Sequence, residues 1–402
     1  MERTVVDLFC GAGGLSAGFQ RAGFVVSRAV DHAPAAIETY RRNLGPHATC
    51  QEITEGIDLP RAAVIAGGPP CQGFSSAGQR RSGDRRNTLV ALFARIVAAS
   101  RPRAFLFENV EGFLTAEEGE RVLDLLVPLI SAGYRIHLRK VSSANFGVPQ
   151  HRKRVVAIGG LGWDPTFPAP THSARGAPGA HLAAQGLPPT PSLGDAILGL
   201  PAASDRPPGV PGGHFCAELD AEELARIRAL GPGQTMRDLP QELWHPSYRR
   251  RAYRRVMDGT PTERRGGAPA GIRRLRPDEP SKAITGGARS ELIHPFEDRY
   301  LTPRECARVQ TFPDDFDFLG NAAEQSRMIG NAVPPRLASV LAVQLARDLD
   351  TSPARAGSGG VLLSFVPTLS AGMSPALERI TGRVRSLFHG GSAAEKQPHP
   401  GG

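Results

Sequence analysis

A cysteine follows two prolines at residues 67–71, which read GGPPC and come directly after an apolar run of strand length. The prolines stiffen the chain and the glycines free it, so this pattern predicts a side chain presented at a sheet edge. A thiolate is a competent nucleophile when nearby positive charge lowers its pKa, and four arginines lie between residues 80 and 86. A buried structural thiol is the alternative. The Pro-Pro-Cys setting favours Cys71 as a nucleophile.

Acidic and basic side chains occur at two further strand-like segments. Glu108 ends an apolar run at the same expected edge as Cys71, and a partly desolvated carboxyl group there could donate a proton near neutral pH. The alternative for Glu108 is a capping or salt-bridged acid. Gln150, Arg152 and Arg154 alternate along a strand and could point together into a site, where arginine suits bidentate contacts with oxygens. Their alternative is a solvated basic strand edge.

A glycine-rich stretch at residues 7–14, reading DLFCGAGG, lies between a strand-like and a helix-like segment. Glycines there let the backbone turn tightly and approach a ligand. Asp31 ends the second apolar run, where it could accept hydrogen bonds from ribose hydroxyls. A plain strand-to-helix turn is the alternative, and the spacing differs from the dinucleotide pattern G-x-G-x-x-G.

Strand-like and helix-like segments alternate through the first half of the chain. The apolar runs of strand length are residues 4–9, 24–30, 62–66, 104–107 and 154–160. One apolar helix face is formed by Leu89, Leu92, Phe93, Ile96 and Val97. This alternation predicts an α/β fold with a mainly parallel sheet covered by helices on both faces.

The amino-acid composition changes in the second half of the chain. Residues 163–192 are rich in Pro, Gly, Ala and His and predict a long surface connection. Residues 246–276 contain ten arginines and only two acidic residues. Residues 302–349 predict two helices, the first beginning with Thr302 as cap and Pro303 as first residue. The last fifty residues predict a poorly ordered extension with one helix near 374–388.

The composition of the 402-residue chain limits the function classes. The formal net charge of +9 favours polyanionic partners, although an arginine-biased, GC-rich genome would give the same excess. The five cysteines include no C-x-x-C pair, which argues against a zinc site and a disulfide framework. We expect no signal peptide, no membrane span and a reducing cytoplasm.

Taken in order, these blocks resemble the cytosine-5 DNA methyltransferases. The likeness continues through the blocks RLRP at 274–277, AIT at 283–285, LTPRECARVQ at 301–310 and QSRMIGNAVP at 325–334. It anchors residues 4–160 and 272–345, and the ordered set is far more specific than any single block.

The resemblance implies roles for the catalytic residues Cys71, Glu108, Arg152 and Arg154. Cys71 adds to cytosine C6, which makes C5 nucleophilic, and Glu108 protonates or hydrogen-bonds N3 and the exocyclic amine. Arg152 and Arg154 hold the base and its backbone, including the O2 edge. After C5 has been methylated, loss of its proton expels Cys71.

The same resemblance implies S-adenosyl-L-methionine as the cofactor and no metal. Asp31 replaces the acid, often Glu, that binds ribose in relatives, and Glu52 stands where many relatives carry an Asp near adenine. The implied cofactor residues are Phe9, Gly11, Gly13, Asp31, Glu52, Leu89, Asn331 and Ala332.

The fold implied is a Rossmann-like S-adenosylmethionine-dependent methyltransferase sheet with helices on both faces, plus a smaller irregular target-recognition domain. The expected division is a catalytic domain with the cofactor site (1–195), a target-recognition domain (196–272), a return segment completing the catalytic domain (273–350) and a low-complexity C-terminal extension (351–402).

Double-stranded DNA is the implied substrate, with the target cytosine flipped out of the helix beneath a loop formed by residues 74–87. A cognate restriction endonuclease, a monomeric state and the bacterial cytoplasm are also expected. The expected DNA contacts are Gln72, Ser75, Arg86, Arg249, Arg250, Arg254 and Arg273.

Three rivals are weaker. A transfer-RNA cytosine methyltransferase shares the catalytic blocks but carries a Cys-Phe-Thr tripeptide that this sequence lacks. A DNA-binding module with a degenerate fold would be expected to lose Cys71, Glu108 or the glycine-rich turn. A dinucleotide oxidoreductase leaves the Pro-Pro-Cys block without an explanation.

Overall fold

A computed structural model of the chain describes residues 3–70, 89–174, 186–203, 213–216, 218–249, 271–351, 359–370 and 372–388. Eight strands form its main sheet: β1 (Thr4–Leu8), β2 (Val25–Asp31), β3 (Ala48–Cys50), β4 (Val64–Gly67), β5 (Ala104–Val110), β6 (Tyr134–Ser142), β8 (Lys153–Leu161) and β12 (Val361–Val366). Their order is β12-β6-β8-β5-β4-β1-β2-β3. Among these eight, β8 alone runs antiparallel to its neighbours. The prediction of a mainly parallel sheet is confirmed.

Two short parallel ladders join the return segment to the rest of the chain. One pairs β7 (Gln150–His151) with β10 (Ser281–Lys282), and the other pairs β9 (Arg273–Arg274) with β11 (Leu292–Ile293). The first ladder lies immediately before β8, so it brings the return segment to the strand that carries Arg154.

Helices cover both faces of the sheet. The helices of the described residues are α1 (Gly14–Arg21), α2 (Pro34–Leu44), α3 (Leu89–Ser100), α4 (Glu120–Ser131), α5 (Leu193–Ile197), α6 (Ala221–Arg228), α7 (Ala288–Glu291), α8 (Pro303–Val309), α9 (Ala322–Asn331), α10 (Pro335–Thr351) and α11 (Pro375–Phe388). Because strand side chains alternate, Val6 and Leu8 pack in a cluster with α3, α4 and α11, while Val5 packs with α1, α2 and α10. Among the described residues, no helix is both long enough and apolar enough to cross a membrane.

Residues 302–349 contain three helices, so the prediction of two over this range is wrong. The first begins as predicted, with Thr302 accepting a hydrogen bond from the backbone N–H of Glu305 and Pro303 at the first position. A second cap at Asn321 starts α9, and the consecutive prolines 334 and 335 separate α9 from α10, since proline lacks the N–H that continues a helix.

The C-terminal extension contains a strand at 361–366 and a helix at 375–388, contrary to the prediction of poor order there. The apolar run VLLSFV forms β12, which pairs in parallel with β6 and adds an eighth strand to the sheet. The helix predicted near 374–388 is confirmed as α11, which buries Leu377, Ile380 and Val384. Sheet pairing overrides composition here, because β6 offers an edge with unpaired backbone groups.

A separate small core lies within the predicted target-recognition region and extends beyond its boundary. Two of its members, Ile293 and Tyr300, belong to the return segment. The cluster consists of Ile227, Leu230, Met236, Leu239, Tyr248, Ile272, Ile293 and Tyr300. The small domain is therefore built from both sides of the junction predicted at residues 272 and 273.

Candidate active site

The segment that leads to Cys71 lies beside Glu108. A Cβ placed on Gly68 would stand 3.3 Å from Glu108 Oε2, and the side-chain amide of Asn109 donates to the Pro69 carbonyl at 3.3 Å. This closeness follows from the parallel pairing of β4 with β5, which brings the carboxyl ends of both strands to one edge. Cys71 itself lies outside the described residues.

Glu108 and Arg154 form a buried ion pair at this edge. Arg154 Nε lies 2.8 Å from Glu108 Oε1, and the two side chains are only 12% and 9% exposed. Burial lowers the pKa of Arg154 from its ordinary range, and the Glu108 carboxylate opposes that shift. The pair presents hydrogen-bond donors and acceptors in a nearly water-free setting, where such contacts to a planar base are strong.

The Arg152 side chain does not join the Glu108–Arg154 pair and instead contacts the return segment. It is buried and donates to the carbonyls of Ile284, Gly330 and Ala332 at 2.7, 2.8 and 3.0 Å. Desolvation lowers the pKa of this guanidinium well below its ordinary range. The prediction that Arg152 contacts the base does not fit this placement, because its hydrogen bonds join the return segment to β8.

Gln150 belongs to the same joint. Its Oε1 accepts the backbone N–H of Ile284 at 3.0 Å, and its Nε2 donates to Gln310 Oε1 at 2.6 Å and to the Val309 carbonyl at 3.2 Å. The alternation prediction failed because the strand is interrupted at Arg152, between β7 and β8. Gln150 and Arg152 therefore position the segment that adjoins the site.

The glycine-rich turn after β1 leaves open space beside a carboxylate. Phe9 and Gly11 have φ values of 60° and 52°, and a Cβ placed on Gly11 would meet nothing within 4 Å. The Gly11 N–H donates to Asp31 Oδ2 at 2.9 Å, while Asp31 Oδ1 accepts from the Ala33 N–H at 2.9 Å. Asp31 thus braces the turn and stands next to the open space.

Gly13 and Gly14 serve close packing. A Cβ on Gly13 would lie 2.3 Å from Leu44 Cδ1, and one on Gly14 would lie 2.3 Å from the Val333 carbonyl oxygen and 3.3 Å from Ala332 Cβ. These contacts bring residues 332–333 against the first turn. The sequence block at residues 325–334 therefore packs beside the glycine-rich turn at residues 7–14.

The other predicted cofactor residues lie on several elements. Leu89 begins α3 and is half-buried, whereas Asn331 ends α9 and is exposed. Glu52 is exposed just after β3, next to Gln51, whose N–H donates to the Asp31 carbonyl at 2.9 Å. Glu52 is thus near Asp31 along the edge formed by β2 and β3.

Sequence reasoning did not single out Asp7, although it is the one charged residue in the run TVVDLF. Its Oδ2 accepts from Ser16 Oγ at 2.6 Å, and its buried Oδ1 has no hydrogen-bond partner within the part of the chain that the structure describes. Burial raises the pKa of Asp7 to about 7. It also raises the pKa of the neighbouring Cys10 thiol well above its ordinary value, so Cys10 is a poor nucleophile.

The predicted DNA contacts are only partly within the described residues. Arg249 is exposed and donates to the Gln241 carbonyl, and Arg273 is half-buried in β9. Its neighbour Arg274 is buried and donates to the carbonyls of Leu230 and Ile227 at 2.6 and 2.9 Å, which fixes the small domain. Outside the described residues lie Gln72, Ser75, Arg86, Arg250 and Arg254.

This sheet, with a glycine-rich turn after β1 and an acid–arginine pair at the carboxyl end of β5, defines a Rossmann-like methyltransferase. The chain belongs to the C-5 cytosine-specific DNA methylase family, whose profile matches residues 3–172 and 231–347. It is a DNA (cytosine-5-)-methyltransferase, an assignment that agrees with the family resemblance of the sequence blocks.

Curated relatives and solved structures agree with this family. The chain is 33% identical over 355 residues to the Type II methyltransferase M1.HphI of Haemophilus parahaemolyticus, covering 85% of this chain and 86% of the relative. It is 32% identical to the Type II methyltransferase M.AgeI of Thalassovita gelatinovora, covering 84% and 97%. A structure described as a DNA modification methyltransferase encoded within an E. coli prophage superposes with a TM-score of 0.64 at 25% identity, covering 86% of this chain and 99% of that one. The S. pombe Dnmt2 methyltransferase shares the fold, with a TM-score of 0.53 at 17% identity, covering 87% and 100%.

Proposed function

We propose that this enzyme methylates C5 of a flipped-out cytosine within a specific double-stranded DNA sequence, using S-adenosyl-L-methionine and a covalent bond from Cys71 to C6. The observation that carries the proposal is the buried Glu108–Arg154 pair, 2.8 Å apart, beside the segment that leads to Cys71. Such a pair suits the polar edge of cytosine, which offers a ring nitrogen and an amine to an acid and a carbonyl oxygen to a guanidinium.

Each side chain then has a defined task. The Cys71 thiolate forms a bond to C6, and the displaced ring electrons make C5 nucleophilic. Glu108 hydrogen-bonds or protonates N3, while Arg154 donates to O2, so negative charge on the ring is offset as it develops. When C5 later loses its proton, the electrons of that C–H bond restore the ring and break the bond between C6 and sulfur.

The turn after β1 fits the adenosyl cofactor. Gly11 leaves open space where a side chain would stand, and Asp31 beside it retains lone pairs that can accept from ribose hydroxyls. When bound, S-adenosyl-L-methionine supplies the electrophilic methyl group. We assign Phe9, Gly11, Asp31, Glu52, Leu89, Asn331 and Ala332 to this pocket, together with the backbone at Gly13.

Target recognition falls to the small domain, with its arginines contacting phosphates and guanine edges. Because the named relatives are Type II methyltransferases, we propose a cognate restriction endonuclease that acts on the same site. We further propose that the enzyme is a monomer acting on DNA in the bacterial cytoplasm, without a metal.

A methyl-transfer assay tests this function. Purified enzyme is incubated with tritiated S-adenosylmethionine and mixed-sequence duplex DNA, with transfer RNA in parallel, and the products are digested to nucleosides. We expect label in 5-methyldeoxycytidine, and bisulfite mapping would then give the recognition site. Label confined to the RNA would overturn the choice of substrate.

A pair of cysteine substitutions tests the nucleophile. Cys71→Ser should retain cofactor and DNA binding yet lose methyl transfer, whereas Cys50→Ser, at the exposed last residue of β3, should remain active. Substantial activity in the Cys71→Ser enzyme would remove the assignment of Cys71.

A further inference from the structure

The backbone that leaves the active site after Glu108 has an unusual conformation. It forms the segment Glu111–Gly119, in which short 3₁₀ turns are separated by a kink, and Glu117, Glu118 and Gly119 have φ values of 45°, 55° and 90°. Non-glycine residues adopt this left-handed conformation only where the surroundings hold it. The segment therefore needs support from elsewhere in the fold.

The helix α11 supplies support at the far end of this segment. A Cβ placed on Gly119 would lie 2.1 Å from Ile380 Cδ1, so the isoleucine sits directly on the strained turn. Ile380 is 1% exposed. One turn further along the helix, Arg383 Nη1 donates to Glu120 Oε1 at 2.6 Å. The helix thus contacts the segment where its backbone is left-handed.

The strand β12 adds a second anchor through β6. Ser364 accepts a hydrogen bond from Arg139 Nε at 3.0 Å, and its Oγ lies 2.7 Å from His137 Nδ1. The next residue of β6, Lys140, forms an ion pair with Glu111, which is the first residue of the segment. Thus α11 contacts one end of the segment directly, and β12 is linked to the other end through β6.

An aromatic contact links the segment back to the catalytic strand. The rings of Phe113 and Phe107 lie 5.3 Å apart between centroids, and Phe107 immediately precedes Glu108. Both rings belong to the buried cluster that includes Ile380 and Val384. Because a packed core transmits displacements, a shift of α11 changes the surroundings of Glu108.

We propose that the C-terminal strand β12 and helix α11 are a positioning element that holds Glu108 in place for catalysis. They lie beyond residue 347, where the family profile ends. The inference rests on the proposed catalytic role of Glu108. Ile380 is its central positioning residue, and it acts through Gly119 without touching the base.

Steady-state kinetics of full-length variants test this element. Ile380→Ala should lower kcat about tenfold, since small displacements of a catalytic group are costly, while the KM values for DNA and cofactor change less than about twofold. Ile380→Leu should restore most of the rate. The matched control is Arg379→Ala, an exposed neighbour on α11, which should match the wild type. Thermal unfolding sets an assay temperature at which every variant is folded.

A charge exchange gives an independent test should Ile380→Ala fail to fold. Arg383→Glu should lower kcat about twofold because its attraction to Glu120 becomes repulsion, and the double variant Arg383→Glu with Glu120→Arg should recover the rate. If Ile380→Ala folds and keeps the wild-type kcat, the inference is overturned. If Ile380→Ala does not fold, an unchanged kcat in Arg383→Glu overturns it. Glu108→Gln is assayed alongside: if it keeps full activity, the proposed role of Glu108 fails first.

Discussion

Arg154 and Glu108 meet across the antiparallel pair of β8 and β5, with Nε and Oε1 2.8 Å apart. Arg152, two residues earlier, points its guanidinium into the return segment. Two arginines of one short sequence block thus do different work. Arg154 faces Glu108, which we propose as the acid, and Arg152 joins the return segment to the start of β8.

Substitution of Arg154 should affect catalysis strongly. Arg154→Ala removes a donor that we assign to the cytosine O2 and leaves the Glu108 carboxylate buried without its partner. We expect kcat/KM to fall by about 100-fold or more, the usual effect of deleting one preorganised donor. The measurement is steady-state methylation of a DNA carrying the mapped site. Arg347→Ala, on the exposed side of α10, is the control, and near-normal kinetics of Arg154→Ala would refute the assignment.

Substitution of Arg152 should affect stability first. Arg152→Met keeps an unbranched side chain but removes three hydrogen bonds to the carbonyls of Ile284, Gly330 and Ala332. We expect the free energy of unfolding to fall by about 3 kcal/mol, since hydrogen bonds from a charged group contribute about 1.5–3 kcal/mol each and the losses are not additive. Urea unfolding measures this change. A fully stable Arg152→Met enzyme would contradict the structural role.

The parallel sheet could be predicted because its signals are local. The runs before Phe9, Asp31 and Glu108 are apolar and of strand length, and strand side chains alternate between two cores as the pattern requires. Glu108 could be placed at the site edge for the same reason, since it follows the apolar run at residues 104–107. Local pattern and ordered family blocks were sufficient for these features.

Features that depend on distant contacts were not predictable in this way. Alternation suggested that Arg152 and Arg154 share a face, but Arg152 lies in the break between β7 and β8, outside the strand that carries Arg154. The composition of residues 351–402 suggested poor order, yet β12 is stabilised by pairing with β6, which is more than 200 residues away in sequence. In the sequence Asp7 is one residue of a glycine-rich stretch. The rise of its pKa follows from its burial, which the sequence does not show.

Asp31 should control cofactor affinity. Asp31→Asn keeps the size of the side chain but replaces one carboxylate oxygen with an amide, which cannot accept from both the turn and a ribose hydroxyl. We expect the dissociation constant for S-adenosylmethionine to rise about tenfold, equivalent to about 1.4 kcal/mol. Calorimetric titration measures it in the absence of DNA. Asp58→Asn, at an exposed carboxylate, should bind normally, and equal affinity in the two variants would exclude Asp31 from the pocket.

Asp7 should make the stability of the enzyme depend on pH. Burial raises its pKa to about 7 in the folded chain from an ordinary value of 3.8, so between these values the unfolded chain releases a proton that the folded chain retains. The contribution of Asp7 to stability therefore falls as the pH rises from about 4 to about 7. Asp7→Asn removes this titration while its amide oxygen can still accept from Ser16.

Relative to wild type, Asp7→Asn should gain stability between pH 5 and pH 8, by at most about 4 kcal/mol over the whole range of the shift. Urea unfolding of both proteins at several pH values gives the difference between their free energies of unfolding. The contributions of the titrating groups that the two proteins share cancel in this difference. Asp315→Asn, at an exposed position, should track the wild type throughout. A constant difference between Asp7→Asn and wild type from pH 5 to pH 8 would show that Asp7 is ionised in the folded protein, and the buried Oδ1 would then need a partner that neutralises it.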